Sequence, residues 1–427
     1  MKTSDLLIRA LENEGVEYIF GIPGEENLDL LDSLKKSRIE LILTRHEQGA
    51  GFMAAAYARL TGKTAVCLST LGPGATNFMT CASYALLGGM PVLFITGQKP
   101  IKQTKQARFQ IIDVISSMRP LTKLTKQIVD GRSVPYLVRE CFRVAETEKP
   151  GPCHLELPDD IAAENVDRLP FDVVEVDPPE ANQKAIKIAS QMIEKSEYPL
   201  VCIASGANRN KTHSAISDFI NQTKLYFFTT QMGKGAVDER HPLCLGTAAL
   251  SDKDYIHCAI EKADLIINIG HDVSEKPPFY MQQGSHTKVI HMSYHQAEMD
   301  DVYFPQHEVI GCLNANLGAL GKALEKSYQS DSSFFEKTKK EIDESIFSRS
   351  HLESFPHIPQ KIVSDIRSVV PEDGIIILDN GMYKIWFARN YRAYQSNTLL
   401  LDNALASMGA GLPSAIGAKL LYPERIW

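Results

Sequence analysis

Apolar residues recur at helical spacing from the first residues of the chain. Leu6, Leu7, Ala10 and Leu11 fall on one face, Thr3 or Ser4 stands where a cap belongs, and Gly15 where a left-handed residue ends a helix. A short β-rich run follows at once at 16–20, and others lie at 41–44, 64–69, 91–95 and 152–157, separated by helix-length segments. Strands that alternate with helices in this way predict a parallel, doubly wound sheet.

The rhythm breaks at 172–182, where charge is mixed with the paired prolines Pro178 and Pro179, and this stretch reads as a linker. A second α/β series has apolar runs at 200–204, 225–228, 265–269 and 289–291. The charged stretch Glu336-Lys337-Thr338-Lys339-Lys340-Glu341 then reads as a solvated helical connector. A third series begins at His357-Ile358-Pro359 with a strand at 374–378, and its last residues resemble the start of another strand. The expected architecture is α/β, with three doubly wound parallel-sheet domains at 1–165, 183–325 and 355–427. The third is short for an independent core and is expected to be incomplete, leaving a sheet edge unpaired.

Composition narrows the function classes. With 44% hydrophobic and 23% charged residues the chain has the balance of a folded globular protein, so disordered and fibrous classes fall away. A net charge of −7 lacks the basic surplus that nucleic-acid or anionic-membrane binding needs, which leaves small-molecule chemistry. The 8 cysteines form neither a Cys-x-x-Cys pair nor a cluster with His at zinc spacing, so they read as reduced packing residues. The charged N-terminus resembles neither a signal peptide nor a membrane span, and a cytoplasmic location is expected.

Three loops place Gly or Pro where a strand hands over to a helix: Gly21-Ile22-Pro23-Gly24, Gly72-Pro73-Gly74-Ala75-Thr76-Asn77 and Met408-Gly409-Ala410-Gly411-Leu412-Pro413. In a doubly wound fold such loops border the ligand crevice, although a Gly-Pro loop taken alone is more often a tight turn. The run Thr44-Arg45-His46-Glu47-Gln48 sets a carboxylate at the end of an apolar strand, before the small-residue stretch that starts at Gly49. Its plain reading is an acid stabilised by a helix dipole.

Taken in order, these segments together with Thr96-Gly97-Gln98, Phe109-Gln110, Gly151-Pro152, Met232-Gly233-Lys234-Gly235 and the run from Met408 to Gly417 resemble thiamine diphosphate-dependent enzymes of the acetolactate synthase group. The resemblance covers essentially the whole chain. It implies a pyrimidine-binding domain, a central domain and a diphosphate-binding domain. It also implies at least a dimer, a homodimer or homotetramer, with the cofactor between subunits; whether a regulatory subunit joins it stays open.

The resemblance also implies roles. Glu47 matches the glutamate that shares a proton with the aminopyrimidine ring, so that the ring's own amino group can act as base. Gly24, Thr70, Gly74 and Asn77 match cofactor contacts on the pyrimidine side, and Gly381, Met382, Met408 and Gly409 match contacts in the diphosphate domain. Met408 takes the place of the apolar wedge that bends the cofactor, against the plain reading of a core Met filling a gap. Met382 and Tyr383 differ from the family's usual polar residues there. Gln110 and Lys123 match a glutamine and a lysine at the substrate pocket, against plain readings as a surface amide and a solvated lysine. The implied reaction decarboxylates pyruvate or another 2-keto acid and joins the remainder to a second one.

Two departures stand out. The family's Gly-Asp-Gly motif, whose Asp and a later Asn hold Mg2+ against the diphosphate, is not found, and its expected place lies beyond Trp427. No metal ligand is therefore assigned. The chain of 427 residues is expected to be a truncated product, an expressed fragment or a partial gene model that binds cofactor weakly, turns over little and associates through its third sheet. Second, the run His271-Asp272-Val273-Ser274-Glu275-Lys276-Pro277-Pro278-Phe279 lacks the Arg of flavin-binding relatives, so FAD is not expected. Alternative readings are another carboligase or a 2-keto acid decarboxylase, and a non-catalytic dimerisation partner. A dinucleotide-dependent dehydrogenase ranks last, because Gly409-Ala410-Gly411 lacks the third glycine of that motif.

Overall fold

Apolar runs that are buried on both faces form the middle of each large sheet. In the computed structural model, which describes residues 1–103, 108–209, 212–248, 256–272, 281, 284–299, 301–324 and 332–425, the first sheet has six strands. They are β1 (Tyr18–Gly21), β2 (Glu40–Leu43), β3 (Ala65–Ser69), β4 (Val92–Gln98), β5 (Leu124–Gln127) and β6 (Cys153–Pro158). The order is β2-β1-β3-β4-β6-β5, and every pairing is parallel. Each residue of β3, β4 and β6 is buried; β3 and most of β4 accordingly read as continuous apolar runs, while β6 interleaves the buried His154 and Glu156, which hydrogen-bond to neighbouring strands.

The second sheet comprises β7 (Pro199–Ile203), β8 (Phe227–Thr229), β9 (Cys244–Thr247), β10 (Leu265–Ile269), β11 (Lys288–Ser293) and β12 (His307–Ile310), in the order β12-β11-β10-β7-β8-β9. It too is parallel throughout. A third sheet pairs β13 (Ile376–Ile377) with β14 (Leu399–Leu400), also parallel. The doubly wound α/β expectation holds for both large sheets. In the two large sheets the strands that the pattern does not predict, β5, β9 and β12, are sheet edges: Leu-Thr-Lys-Gln in β5 and His-Glu-Val-Ile in β12 carry polar residues because one side of an edge faces solvent; β14 of the third sheet is likewise not predicted.

The chain divides into two compact units, Met1–Val176 with Ser407–Pro423, and Asp177–Ala406. Residues 166–182 have neither helix nor strand, and 171–180 are exposed. The charged stretch read as a solvated connector is an amphipathic helix, Ser333–Phe347, which inserts Phe335, Ile342 and Ile346 into the core of the second unit beside Tyr226. Three apolar residues in a strongly charged segment suffice to anchor it, and the charges hid them.

Two buried polar arrangements fix the large sheets. In the first unit His154 on β6 bridges its neighbours, with Nε2 2.9 Å from Thr96 Oγ1 on β4 and Nδ1 2.6 Å from Thr125 Oγ1 on β5. The ring is fully buried, and burial pushes its pKa down from 6.5 to about 3, so the folded protein holds it neutral. Below about pH 6.5 the unfolded chain takes up the proton and the folded one does not, so stability is lost as pH falls from there toward 3. The expected slope is about 1.4 kcal/mol per pH unit. Urea unfolding at pH 7 and pH 5 checks this: wild type loses stability over that interval, and His154→Gln loses less of it.

In the second unit Gly233 passes so close to β7 that a Cβ there would lie 2.1 Å from Ile203 O, and Asn208 Nδ2 donates to Met232 O at 3.1 Å and Lys234 O at 3.0 Å. The Met232-Gly233-Lys234-Gly235 segment is thereby pinned, and it delivers Lys234 to a buried pair with Glu239, both oxygens at 2.7 Å from Nζ. Thr247 Oγ1 lies 3.1 Å from the same ammonium, and Ala393 N donates to the Glu239 carboxylate at 2.7 Å.

Candidate functional site

The order β2-β1-β3 changes direction between β1 and β3, and a doubly wound sheet opens its crevice at the carboxyl ends flanking such a point. Here those ends need small residues. A Cβ on Gly21 would lie 2.1 Å from Leu68 O, so only glycine lets β1 leave the sheet beside β3. A Cβ on Gly24 would lie 2.5 Å from Thr70 Cβ, and one on Gly97 would lie 2.5 Å from Asn27 Oδ1 and 2.9 Å from Glu26 Cβ. The turn after β1, residues Glu25–Asn27, is thus seated on the end of β4 and against the loop after β3.

Glu47 opens the helix Glu47–Thr61 that follows β2. His46 caps it, its Nδ1 accepting from Gln48 N at 3.1 Å, and Gly62 ends it with φ 70°. The N-terminal position favours a negative side chain, as the plain reading required. The surroundings add more. Asn77 Nδ2 donates to Glu47 Oε2 at 2.9 Å, and a Cβ on Gly74 would lie 3.2 Å from Oε1 and 3.1 Å from Thr70 Cγ2. The carboxylate is half-buried, and among the described residues Oε1 takes no hydrogen bond. One oxygen is fixed by Asn77, and the other faces Gly74. Gly24, Glu47, Thr70, Gly74 and Asn77 are therefore brought together.

Gln110 joins this group through its backbone. It is exposed, with φ 58°, and its carbonyl would lie 2.8 Å from a Cβ on Gly72, which itself has φ 55°. A non-glycine residue in the left-handed region next to such a loop marks a constrained segment. Lys123 is engaged elsewhere: its Nζ donates to Thr147 O at 2.6 Å and Lys149 O at 2.7 Å, after the helix Val134–Glu146, and its stem covers Gly151.

The helix Gly411–Leu421 packs on the helix Glu47–Thr61 within the first unit. Ser414 Oγ donates to Phe52 O at 3.4 Å, and a Cβ on Gly417 would lie 2.6 Å from Met53 O. Met408, 76% exposed, and Gly409, with φ 83°, lie just ahead of the second helix. Gly381 and Met382 belong to the other unit, Met382 exposed and Gly381 beside the Tyr383 ring. After them Lys384 is buried, its Nζ 2.8 Å from Asp402 O and 3.2 Å from Asn403 Oδ1, and burial lowers its pKa.

Sequence reasoning missed Glu26. It is 5% exposed, its Oε1 is 2.6 Å from Lys99 Nζ, and its Oε2 accepts from Thr70 Oγ1. Burial alone would raise its pKa, but the hydrogen bonds from Lys99 and Thr70 outweigh this and hold it below the ordinary carboxylate value. Its place two residues after Gly24 was the available signal, but Thr70 lies 44 positions away. Among the described residues no three His, Cys, Asp or Glu side chains gather as a metal centre. The expectation about flavin rests on a run of which 273–279 lie outside the described residues.

Comparison with known proteins follows this layout. Residues 1–117 match the family described as thiamine pyrophosphate enzyme, N-terminal TPP binding domain, 186–320 its central domain and 379–427 its C-terminal TPP binding domain. The chain is 32% identical to a probable acetolactate synthase large subunit of Methanocaldococcus jannaschii, covering 99% of this chain and 74% of that protein. It is 31% identical to acetolactate synthase isozyme 2 large subunit of Escherichia coli K12, covering 99% and 76%, and 29% identical to the chloroplastic acetolactate synthase 3 of Brassica napus, covering 100% and 67%.

Proposed function

The chain belongs to the thiamine pyrophosphate-dependent enzymes, in the acetolactate synthase large-subunit group, and from that membership we propose that it is a carboligase of 2-keto acids. Pyruvate or another 2-keto acid would lose carbon dioxide, and its former keto carbon, keeping the electron pair of the broken C–C bond, would bond to the keto carbon of a second 2-keto acid, whose oxygen takes up a proton; with pyruvate as donor the product is an acetohydroxy acid.

The observation that carries this reading is the Glu47 carboxylate with one oxygen fixed by Asn77 and the other unbonded among the described residues, beside Thr70 and Gly74 at the sheet's switch point. That donor set fits the edge of an aminopyrimidine: Oε1 can hold a proton at a ring nitrogen and take it back. When bound, thiamine diphosphate supplies a carbon nucleophile and an electron sink for the bond that releases carbon dioxide. Glu47 holds and returns the proton, while Gly24, Thr70 and Gly74 shape the pyrimidine pocket. Met408 presents an apolar surface ahead of the Gly411–Leu421 helix for the bend of the cofactor, with Gly409 giving the turn its left-handed residue. Gly381 and Met382 would meet the diphosphate, together with a divalent ion, and Gln110 would line the substrate side. Lys123 has no part in this assignment, since two carbonyls engage its ammonium.

Self-association as a homodimer or homotetramer is supported by an apolar row on the Gly411 helix and its approach. Leu412 and Ile416, spaced by four on the helix, are 73% and 42% exposed, and Met408 ahead of it is 76% exposed. Among the described residues no helix is long and apolar enough to cross a membrane.

The test is product analysis. Purified protein at high concentration is incubated with pyruvate, excess thiamine diphosphate and Mg2+ for long enough to collect the product of slow turnover, and the expected product is acetolactate. Acetaldehyde as the sole product would assign a simple decarboxylase in its place.

A further inference from the structure

Thr70 stands between Gly24 and Gly74, half-buried, and Gly74 in turn lies against the unbonded oxygen of Glu47. A threonine hydroxyl has one proton to give and two lone pairs. That proton is committed: Thr70 Oγ1 donates to Glu26 Oε2. Glu26 is 5% exposed, too deep to meet a ligand itself, and Lys99 Nζ at 2.6 Å from its other oxygen keeps it charged and therefore an obligatory acceptor. Gly97 makes the arrangement possible, because any side chain there would displace Glu26 and Asn27 from the end of β4.

We propose that Glu26, neutralised by Lys99, is a positioning residue of the pyrimidine pocket that turns the Thr70 hydroxyl into an acceptor facing the ligand. This rests on the cofactor reading above and deepens it. The pocket then selects a heterocycle edge that brings N–H groups, such as an exocyclic amine, and disfavours one that offers only acceptors. Glu26 acts through Thr70 and touches neither the cofactor nor the substrate.

The experiment is isothermal titration of thiamine diphosphate with Mg2+ into wild type, Glu26→Gln, Lys99→Met, Thr70→Val and the Glu26→Gln/Thr70→Val double variant, with urea unfolding of each alongside. The expected result is about tenfold weaker binding for Glu26→Gln and for Thr70→Val. The double variant binds no more weakly than either single one, because Thr70→Val removes the hydroxyl and Glu26→Gln removes its orientation, the single amide oxygen being taken by Lys99 and the amide N–H turned to Thr70. Lys99→Met weakens binding by about threefold, less than Glu26→Gln, and this loss disappears in the Thr70→Val background; it serves if Glu26→Gln does not fold. A Glu26 that only supported the fold would lower the urea midpoint and give losses that multiply in the double variant. Wild-type affinity in Glu26→Gln, or multiplying losses, overturns the proposal and leaves the cofactor reading standing. Absence of saturable binding by wild type overturns the cofactor reading itself, and this inference with it.

Discussion

Replacement of Glu47 by Gln lowers the consumption of 2-keto acid by about 100- to 10,000-fold, the range typical of a positioned proton donor and acceptor. The substitution is chosen because it changes little else. Gln keeps the length of the side chain, its amide oxygen still accepts from Asn77 Nδ2, and the His46 cap and Gly62 stop of the helix are untouched. What it removes is the ability of the second oxygen to hold a proton and release it. The effect is expected in kcat more than in KM for the keto acid, because the carboxylate acts at the cofactor. Initial rates across a range of pyruvate concentrations separate the two. A structural acid at a helix N-terminus would instead lose only the modest stability that a dipole interaction supplies, about 0.3–1 kcal/mol, with turnover retained.

The largest stability effect is expected in the second unit. Lys234→Met leaves Glu239 charged, buried and without its cation, and removing one partner of a buried pair costs about 3–5 kcal/mol. Glu239 keeps donors from Ala393 N at 2.7 Å and Thr247 Oγ1 at 3.3 Å, which places the loss toward the lower end of that range. Replacement of both partners, Lys234→Met with Glu239→Leu, recovers much of the loss, because no charge is then left in the core. Urea unfolding of the two variants beside wild type checks this: the single variant should have the lower midpoint.

The sequence made the centres of both large sheets legible and concealed their rims. β3, β4, β7 and β10 are buried along their whole length, and their short apolar runs of β-branched residues between turn signals read as strands. β5 and β12 sit at edges where solvent admits Lys, Gln, His and Glu, and β9, though largely buried, is a four-residue Cys-Leu-Gly-Thr strand, so a period-2 or continuous apolar signal never develops in any of the three. The helix Ser333–Phe347 was misread for a related reason, since its anchors are only a few positions in a charged run.

For the site, the order of motifs pointed to Glu47 and its glycines, but not to the geometry that joins them. Glu47 and Asn77 are 30 positions apart, and Glu26 and Thr70 are 44 apart. Only the convergence of the strand ends makes either pair visible. Glycines carry much of this convergence: Gly21, Gly24 and Gly97 each sit where a Cβ would strike a neighbouring segment at 2.1–2.5 Å. In sequence these glycines marked candidate loops and motifs, but nothing local records which distant backbone passes beside them. Lys123 shows the converse. Its spacing from Phe109 matched a pocket lysine, whereas the fold sends its ammonium to the carbonyls of Thr147 and Lys149.

The most direct test of the account is a titration of thiamine diphosphate, in the presence of Mg2+, into the protein and its Glu47→Gln variant, followed by near-ultraviolet circular dichroism. Saturable binding by wild type, with a cofactor signal that the variant weakens or changes, is the predicted result. Identical curves for the two proteins, or no saturable signal from wild type, would contradict the assignment of Glu47 as the group that meets the pyrimidine ring.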